Sequence, residues 1–365
     1  MKLLCVIDNL GPGGAQRQLA ELAVGFSESC NEVSMLSYSK GSFFLPYLEK
    51  AGINCFFIGE PNYIKRLLKI RRFIRHGNFD AVLSFLESPS LYCEIAGFPY
   101  RKWKLVVGER IADPAIRKSL KLKLFRCFHI FADYIVCNSK KNKELIHEVC
   151  RTLPRSKVRV IYNIVDFERW KPLPDFCFRN SGRLKLIISA SHCYRKNLNG
   201  LIDALALMKK EELNQIEIDW YGNPLNKPSF DRSLNEGRKK TENLNLEKVI
   251  TFYPATNEIT QKIQEADAVG LFSFAEGFPN VVCEAMACGK PVICSSVSDI
   301  PEILSSDKNL LFDPSNPDSI KRAINYLLNL NSGSLKKIGS ENEEICKRMF
   351  VKTSIITEYL KLLSK

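Results

Sequence analysis

Two carboxylates stand eight positions apart in this 365-residue chain, Glu276 before a Gly277-Phe278-Pro279 turn and Glu284 after it. Asn280 suits an N-cap, Val281 to Cys288 read as a short helix, and Gly289 suits the position just past its end. A helix start presents unpaired backbone N–H groups and the positive end of the helix dipole, so residues 277 to 281 form an expected anion site. Two acids beside a phosphate would repel it unless they engage neutral groups next to it, such as sugar hydroxyls. The combination suggests a sugar nucleotide. The plainer alternative is an amphipathic helix with a solvated glutamate on either side.

Other residues with chemical potential sit at the ends of strand-like runs. Ser191 to Asn197 follows Leu184 to Ser189 and carries Arg195 and Lys196. A lysine at a strand end could neutralise a departing diphosphate, or it could be a solvated surface base. The turn Gly11-Pro12-Gly13-Gly14-Ala15-Gln16 also follows a strand and opens a helix, but the third glycine of a dinucleotide fingerprint would fall at Gln16. Glu109 and Arg110 end a further strand, either facing a ligand or forming a surface ion pair.

The elements that must position these residues alternate strand and helix, the pattern of parallel sheets covered on both faces. Strands are expected at residues 3–7, 32–36, 54–58, 81–84, 105–107, 134–137 and 158–162, then at 184–189, 217–221, 249–252, 268–272 and 291–294. Between the two series, Trp170 to Asp175 and on to Asn180-Ser181-Gly182 has linker composition. The fold class is therefore α/β, with two Rossmann-like domains whose parallel sheets face a central cleft. Residues 1–170 form the first, 176–349 the second, and a helix at 350–365 is expected to cross back to the first.

At 45% hydrophobic and 25% charged, the composition is that of an ordinary globular protein. No apolar run approaches the roughly 18–20 residues that span a bilayer, and Met1 to Asp8 is too short an apolar core for a signal peptide. Thirteen cysteines without a Cys-x-x-Cys pair read as reduced, mostly buried thiols, which implies a cytoplasmic location and no metal site. The net charge of +13 is uneven. Residues 1–170 hold 27 Lys and Arg against 16 Asp and Glu, and the remainder is nearly neutral. The first domain therefore expects an anionic partner. Basic amphipathic stretches at Ile64–Arg75 and Ile116–Arg126 point to peripheral attachment on an anionic inner-membrane surface, or to helices packed on one side with bases outward. No helix-turn-helix, RNP or zinc pattern supports nucleic acid.

The string Glu276-Gly277-Phe278-Pro279-Asn280-Val281 through Glu284-Ala285-Met286-Ala287 to Gly289 and Pro291-Val292 closely resembles the signature of retaining GT-B glycosyltransferases of family 4. Further elements are similar to family motifs: Gly13-Gly14-Ala15-Gln16-Arg17, Asn138-Ser139, Asn163-Ile164-Val165-Asp166 and Lys196-Asn197. The resemblance implies that Glu276 lies by the donor sugar and Glu284 binds the ribose hydroxyls. It puts Gly277, Phe278, Pro279 and Asn280 around the diphosphate, with Gly13 and Gly14 facing donor and acceptor. Tyr253, in the turn where the family receives the base, either contacts the uracil or packs. Ser191 stands where the family carries an arginine, with Arg195 as the neighbouring base. Glu109 and Arg110 stand near the place of a family histidine, as acceptor-side candidates.

The resemblance implies transfer of a hexose or N-acetylhexosamine from a nucleotide sugar, UDP-linked, with retention and with no cofactor or metal. Lys196 and Arg195 would help the diphosphate leave. The acceptor would be a glycan or lipid-diphosphate glycan of surface polysaccharide assembly. The alternatives are a GT-B nucleotide-sugar epimerase and a non-catalytic nucleotide-sugar-binding protein.

Overall fold

The computed structural model describes residues 1–111, 114–179, 182–224, 232–304 and 307–364; Asn180 and Ser181 of the expected linker lie outside these. The chain divides into two compact units, Met1–Ile164 with Phe350–Lys365, and Val165–Met349.

The first unit runs β1 (Lys2–Val6), α1 (Gly14–Glu28), β2 (Glu32–Ser37), α2 (Leu45–Lys50), β3 (Asn54–Phe57), α3 (Tyr63–His76), β4 (Ala81–Phe85), α4 (Glu87–Ala96), β5 (Lys104–Glu109), α5 (Leu120–Cys127), β6 (Tyr134–Cys137), α6 (Lys140–Val149) and β7 (Val158–Val160). All pairings are parallel, in the order β3-β2-β1-β4-β5-β6-β7. A parallel sheet buried on both faces needs strands that are apolar throughout rather than alternating. β1 and β4 come close to this: Leu3, Leu4, Cys5, Val6, Ala81, Val82, Leu83 and Phe85 are all buried, and the polar Ser84 of β4 donates its hydroxyl to Ser90 at 3.1 Å.

The second unit runs β8 (Leu184–Ser189), α7 (Leu198–Ala206), α8 (Lys210–Leu213), β9 (Ile216–Tyr221), α9 (Ser233–Asn243), β10 (Ile250–Tyr253), α10 (Ile259–Gln264), β11 (Ala268–Leu271), α11 (Asn280–Ala287), β12 (Val292–Ser295), α12 (Ile300–Ile303), β13 (Leu311–Phe312), α13 (Pro317–Asn329) and α14 (Ser332–Met349). Its sheet, in the order β10-β9-β8-β11-β12-β13, repeats the strand order of the first unit. Together these are two doubly wound, Rossmann-like sheets.

Differences from the sequence reading are local. β13 has two residues, too few for a periodicity to register. The expected helix at 350–365 begins slightly later, as α15 (Lys352–Leu363), after Phe350 and Val351 separate it from α14. α15 packs on α1 in the first unit: Phe26 and Tyr359 meet edge-on at 6.3 Å, and Lys352 pairs with Glu28 at 2.7 Å. Gly25 permits that approach, since a Cβ there would fall 2.4 Å from Ile356 Cδ1. All thirteen cysteines are free thiols, and burial pushes those such as Cys5 up to about 12.

Candidate active site

In a parallel sheet the loops after adjacent strands meet at the C-terminal edge, and β8 and β11 are neighbours. Residues 80 positions apart in sequence are thereby brought together. The Lys196 ammonium donates to Glu276 Oε1 at 2.6 Å, with both side chains mostly buried, at 15% and 11% exposure. The two loops are joined by backbone as well, because the Phe274 N–H donates to the Arg195 carbonyl at 2.9 Å. The rings of Tyr194 and Phe274 lie 5.5 Å apart beside this bond.

The β8 loop is fixed from three sides. The Trp220 indole N–H donates to the Ala190 carbonyl at 2.8 Å, and the His192 ring stacks on Trp220 at 5.8 Å. Burial, followed by the charge of Arg238, pushes the His192 pKa down to about 4, so this ring is a neutral packing element at neutral pH. Asn197 takes the left-handed conformation at φ 59° and ψ 40°, which asparagine tolerates better than most residues. Its amide donates to the Pro314 carbonyl at 2.7 Å. The Lys196-Asn197 pair thus divides its labour: the asparagine makes the turn and the lysine carries the charge.

On the other side, α11 begins one residue earlier than the sequence suggested. Pro279 occupies the cap position and Asn280 is the first helical residue, so Asn280 is not the N-cap. Proline has no N–H to leave unsatisfied at a helix start, which makes it a suitable residue there. The expected row of free amides at 277 to 281 is correspondingly reduced. Pro279 has none, and the Asn280 N–H donates to the Phe278 carbonyl at 3.0 Å. The amides of Gly277 and Val281 meet no acceptor among the described residues. The Gly277 carbonyl accepts from the Ser298 hydroxyl at 3.1 Å, which ties the turn to the loop after β12. Glu284 lies on the second turn of α11 and is buried at 8% exposure. Gly289 ends the helix at φ 66°, a conformation that favours glycine.

Arg195 is exposed at the rim of the loop, and Ser191 Oγ lies 3.9 Å from Cys193 Sγ. Tyr253 ends β10, two strands from β8, and its ring stacks on Tyr221 at 4.9 Å. It is 39% exposed, so one face is packed and the rest is open.

Gly13, Gly14, Glu109 and Arg110 belong to the first unit. Gly13 precedes α1, where an added Cβ would clash with the Gln16 side chain, itself bonded to Asp8 at 3.1 Å. Glu109 is neither surface-paired nor open to a ligand. Its carboxylate is buried between Arg126 at 3.0 Å and His129 at 2.8 Å. His129 also bonds Glu94 at 2.6 Å, and Arg126 bonds Glu87 at 2.9 Å. Burial alone would lower the His129 pKa, but Glu94 and Glu109 outweigh it and raise it to about 10. Glu109 is lowered against the cost of burial, first by the Arg126 charge and then by His129. Arg110 stacks on Phe85 at 3.6 Å and donates to Asn163 at 3.1 Å and to the Tyr359 hydroxyl.

Sequence reasoning missed this cluster because Glu94, Glu109, Arg126 and His129 share no local motif. The sequence reading had the bases of the Ile116–Arg126 stretch facing outward, whereas the Arg126 side chain is fully buried. Lys290, immediately after Gly289, was also missed. It is buried with its ammonium 3.2 Å from the centre of the Phe176 ring, and burial lowers its pKa to about 8. No group of metal-ligating side chains with the spacing to hold an ion occurs among the described residues.

The family described as glycosyl transferases group 1 matches residues 177–344, and glycosyltransferase family 4 matches residues 12–169. The chain is 26% identical, over 99% of both sequences, to the Campylobacter jejuni N-acetylgalactosamine-N,N'-diacetylbacillosaminyl-diphospho-undecaprenol 4-alpha-N-acetylgalactosaminyltransferase. A shorter match of 41% identity covers 19% of this chain and 17% of the Escherichia coli O-antigen chain mannosyltransferase B. Among solved structures, Anabaena HepE in complex with UDP superimposes with a TM-score of 0.85 at 20% identity, covering 100% of this chain and 99% of that one. Staphylococcus aureus TarM, crystallised with UDP and glycan ligands, gives 0.79 at 11% identity, with full coverage of both chains.

Proposed function

The chain belongs to the GT-B glycosyltransferases of the family 4 type, and from that premise we propose that it moves a hexose or N-acetylhexosamine from a UDP-sugar to a lipid-diphosphate glycan, with retention of configuration. The observation that carries this reading is the Lys196–Glu276 pair beside the start of α11. A single cation paired with a single carboxylate at a partly exposed strand edge can exchange that partner for a ligand. The donor diphosphate takes the ammonium, and the released Glu276 carboxylate accepts from sugar hydroxyls. The amides of Gly277 and Val281 and the dipole of α11 add to the charge that stabilises the leaving diphosphate. Glu284 reaches the ribose hydroxyls. The departing phosphate oxygen helps remove the acceptor proton, so the enzyme supplies no nucleophile and no metal.

The donor and acceptor follow the relatives. UDP is bound in the HepE structures, and the Campylobacter relative acts on an undecaprenol-linked diphospho-glycan. No helix among the described residues is long and apolar enough to cross a membrane. Peripheral attachment at the cytoplasmic face through the first unit is supported by α5 and α3. Leu120 is 82% and Leu124 57% exposed beside Lys121 and Lys123, and Ile64 is 70% exposed beside Lys65. Such pairing of apolar and basic side chains suits an anionic bilayer surface.

The experiment is a panel of UDP- and GDP-sugars scored for binding, slow hydrolysis and transfer. A UDP-sugar should be turned over in the presence of a chelator, with an α-linked donor giving an α-linked product. Glu276→Gln should lower kcat by on the order of 10²–10³, the loss seen when one transition-state contact is removed, and Glu284→Ala should chiefly raise the donor KM. Full activity in both variants would discard the site assignment.

A further inference from the structure

A second anion site is built into the far edge of the first sheet, just past the Asn138-Ser139 element that caps α6. Along α6, Lys140, Lys143 and His147 recur at intervals of three or four residues, which puts them on one helical face, and Arg151 follows in the turn just past its end. Arg155, from the turn after α6, and Arg159, on the edge strand β7, complete the lining of a groove of about 860 Å³. That volume is within the usual range for small-molecule sites, roughly 300–1,000 Å³.

Two acids also line the groove, but each is held by a base that is not part of it. Glu148 is bonded by Arg117 at 2.7 Å and Glu144 by Lys141 at 2.8 Å. Lys143, Arg151, Arg155 and Arg159 make no ion pair among the described residues. His147 sits among them with a buried Nε2 that has no hydrogen-bond partner among the described residues. Its pKa is lowered by burial and then by Arg155 and Lys143, as expected where positive charge is concentrated. Arg159 lies over the Tyr134 ring at 5.8 Å, but neither it nor Lys143, Arg151 and Arg155 has a carboxylate partner among the described residues, and bases crowded in this way suit an anion that comes from outside. Three arginines favour phosphate oxygens, which a guanidinium can bond in pairs. No Phe, Tyr or Trp lines the groove to stack a nucleobase.

We propose that the groove between α6 and β7 is a binding site for a phosphate-bearing ligand, distinct from the α11 donor site. Two sources share this chemistry, a soluble diphosphate group and the headgroup of an anionic lipid. The inference goes beyond the donor reading and does not depend on it.

The test uses the full chain, first titrated with UDP and then with inorganic pyrophosphate by calorimetry, and separately mixed with vesicles of phosphatidylcholine with or without phosphatidylglycerol. Arg151→Glu/Arg155→Glu should weaken pyrophosphate or vesicle binding at least tenfold and leave UDP binding unchanged. Lys40→Glu/Lys50→Glu, the same charge change at two exposed positions elsewhere in the unit, should alter either by less than twofold. Loss of pyrophosphate binding assigns the site to a diphosphate group, and loss of vesicle binding alone assigns it to headgroups. The proposal is overturned if the groove variant binds both as the parent does, or if the control variant loses as much. Should UDP fail to bind the parent protein, the donor reading falls while the comparison of groove variants still stands.

Discussion

The two units share one strand order but use charge at their strand ends in opposite ways. At the end of β5, Glu109 is enclosed by Arg126 and His129, which are held in turn by Glu87 and Glu94, and four of these five side chains are at most 5% exposed. At the ends of β8 and β11 the described residues hold a single pair, Lys196 and Glu276, mostly buried but with no second partner of opposite charge on either side chain. The same contrast separates two buried cations. His129 lies between carboxylates and is raised to about 10, whereas Lys290 lies over the rings of Phe176 and Phe178 and is lowered to about 8. A charge saturated by internal partners holds a fold together. A charge with one exchangeable partner is available to a ligand.

Removing one partner from each site should affect the two units very differently. Arg126→Met leaves Glu87 and Glu109 short of their buried cation and should cost about 3–5 kcal/mol of stability, the usual consequence of orphaning a buried charge. Lys196→Met orphans a single carboxylate that keeps some access to solvent and should cost less, about 1–3 kcal/mol, while abolishing most transfer. Denaturant unfolding, with hydrogen exchange to localise the change to β5 or β11, measures both. Equal costs would erase the distinction between a structural cluster and an exchangeable pair.

The pH dependence of stability should differ in sign between the two buried cations. His129 is raised from its ordinary 6.5 to about 10. Its contribution is therefore complete below pH 6.5 and is lost as pH rises through 10, at up to roughly 1.4 kcal/mol per pH unit. His129→Gln should flatten that decline. Lys290 is lowered from 10.5 to about 8, so its burial penalty is full below pH 8 and is relieved as pH climbs to 10.5. Lys290→Met should remove that alkaline rise and stabilise the protein at pH 7 by about 1 kcal/mol, because an apolar residue of similar length replaces a buried charge. Both are read from unfolding midpoints between pH 6 and 10.5, and slopes of the same sign would contradict the picture of opposite environments.

The sequence was most legible where physics is local. The strands Lys2–Val6 and Leu184–Ser189 are built around the unbroken apolar runs at residues 3–6 and 186–188, so composition located them closely. Glu276, Glu284 and Gly289 could be placed relative to α11 because a cap, a turn and a helix end are read from neighbouring residues. The one-residue error at its start arose because Asn280 is a good cap by type, yet Pro279 already terminates the preceding loop. Contacts set by topology were hidden. Lys196 meets Glu276 because β8 and β11 are neighbours in the sheet, and His129 meets Glu109 because the segment after α5 folds back over β5. His129, twenty positions from Glu109, is buried between Glu94 and Glu109.

The smallest predicted effect concerns the residue whose place in this contrast is set by exposure alone. Arg195 precedes Lys196 and its carbonyl bonds Phe274, so its backbone belongs to the site. Its side chain is exposed, and an exposed charge is screened over about 8–10 Å at physiological salt. Arg195→Ala should therefore reduce transfer only about threefold, with the loss shrinking further as salt is added. Lys196→Ala, which removes the partner of Glu276, should cost at least thirtyfold more at any salt. Steady-state kinetics at two ionic strengths separate the two. A salt-insensitive hundredfold loss in Arg195→Ala would mean that this arginine leaves the surface when donor binds and takes the role the family gives to the residue at Ser191. The exchange of partners would then extend from one cation to two.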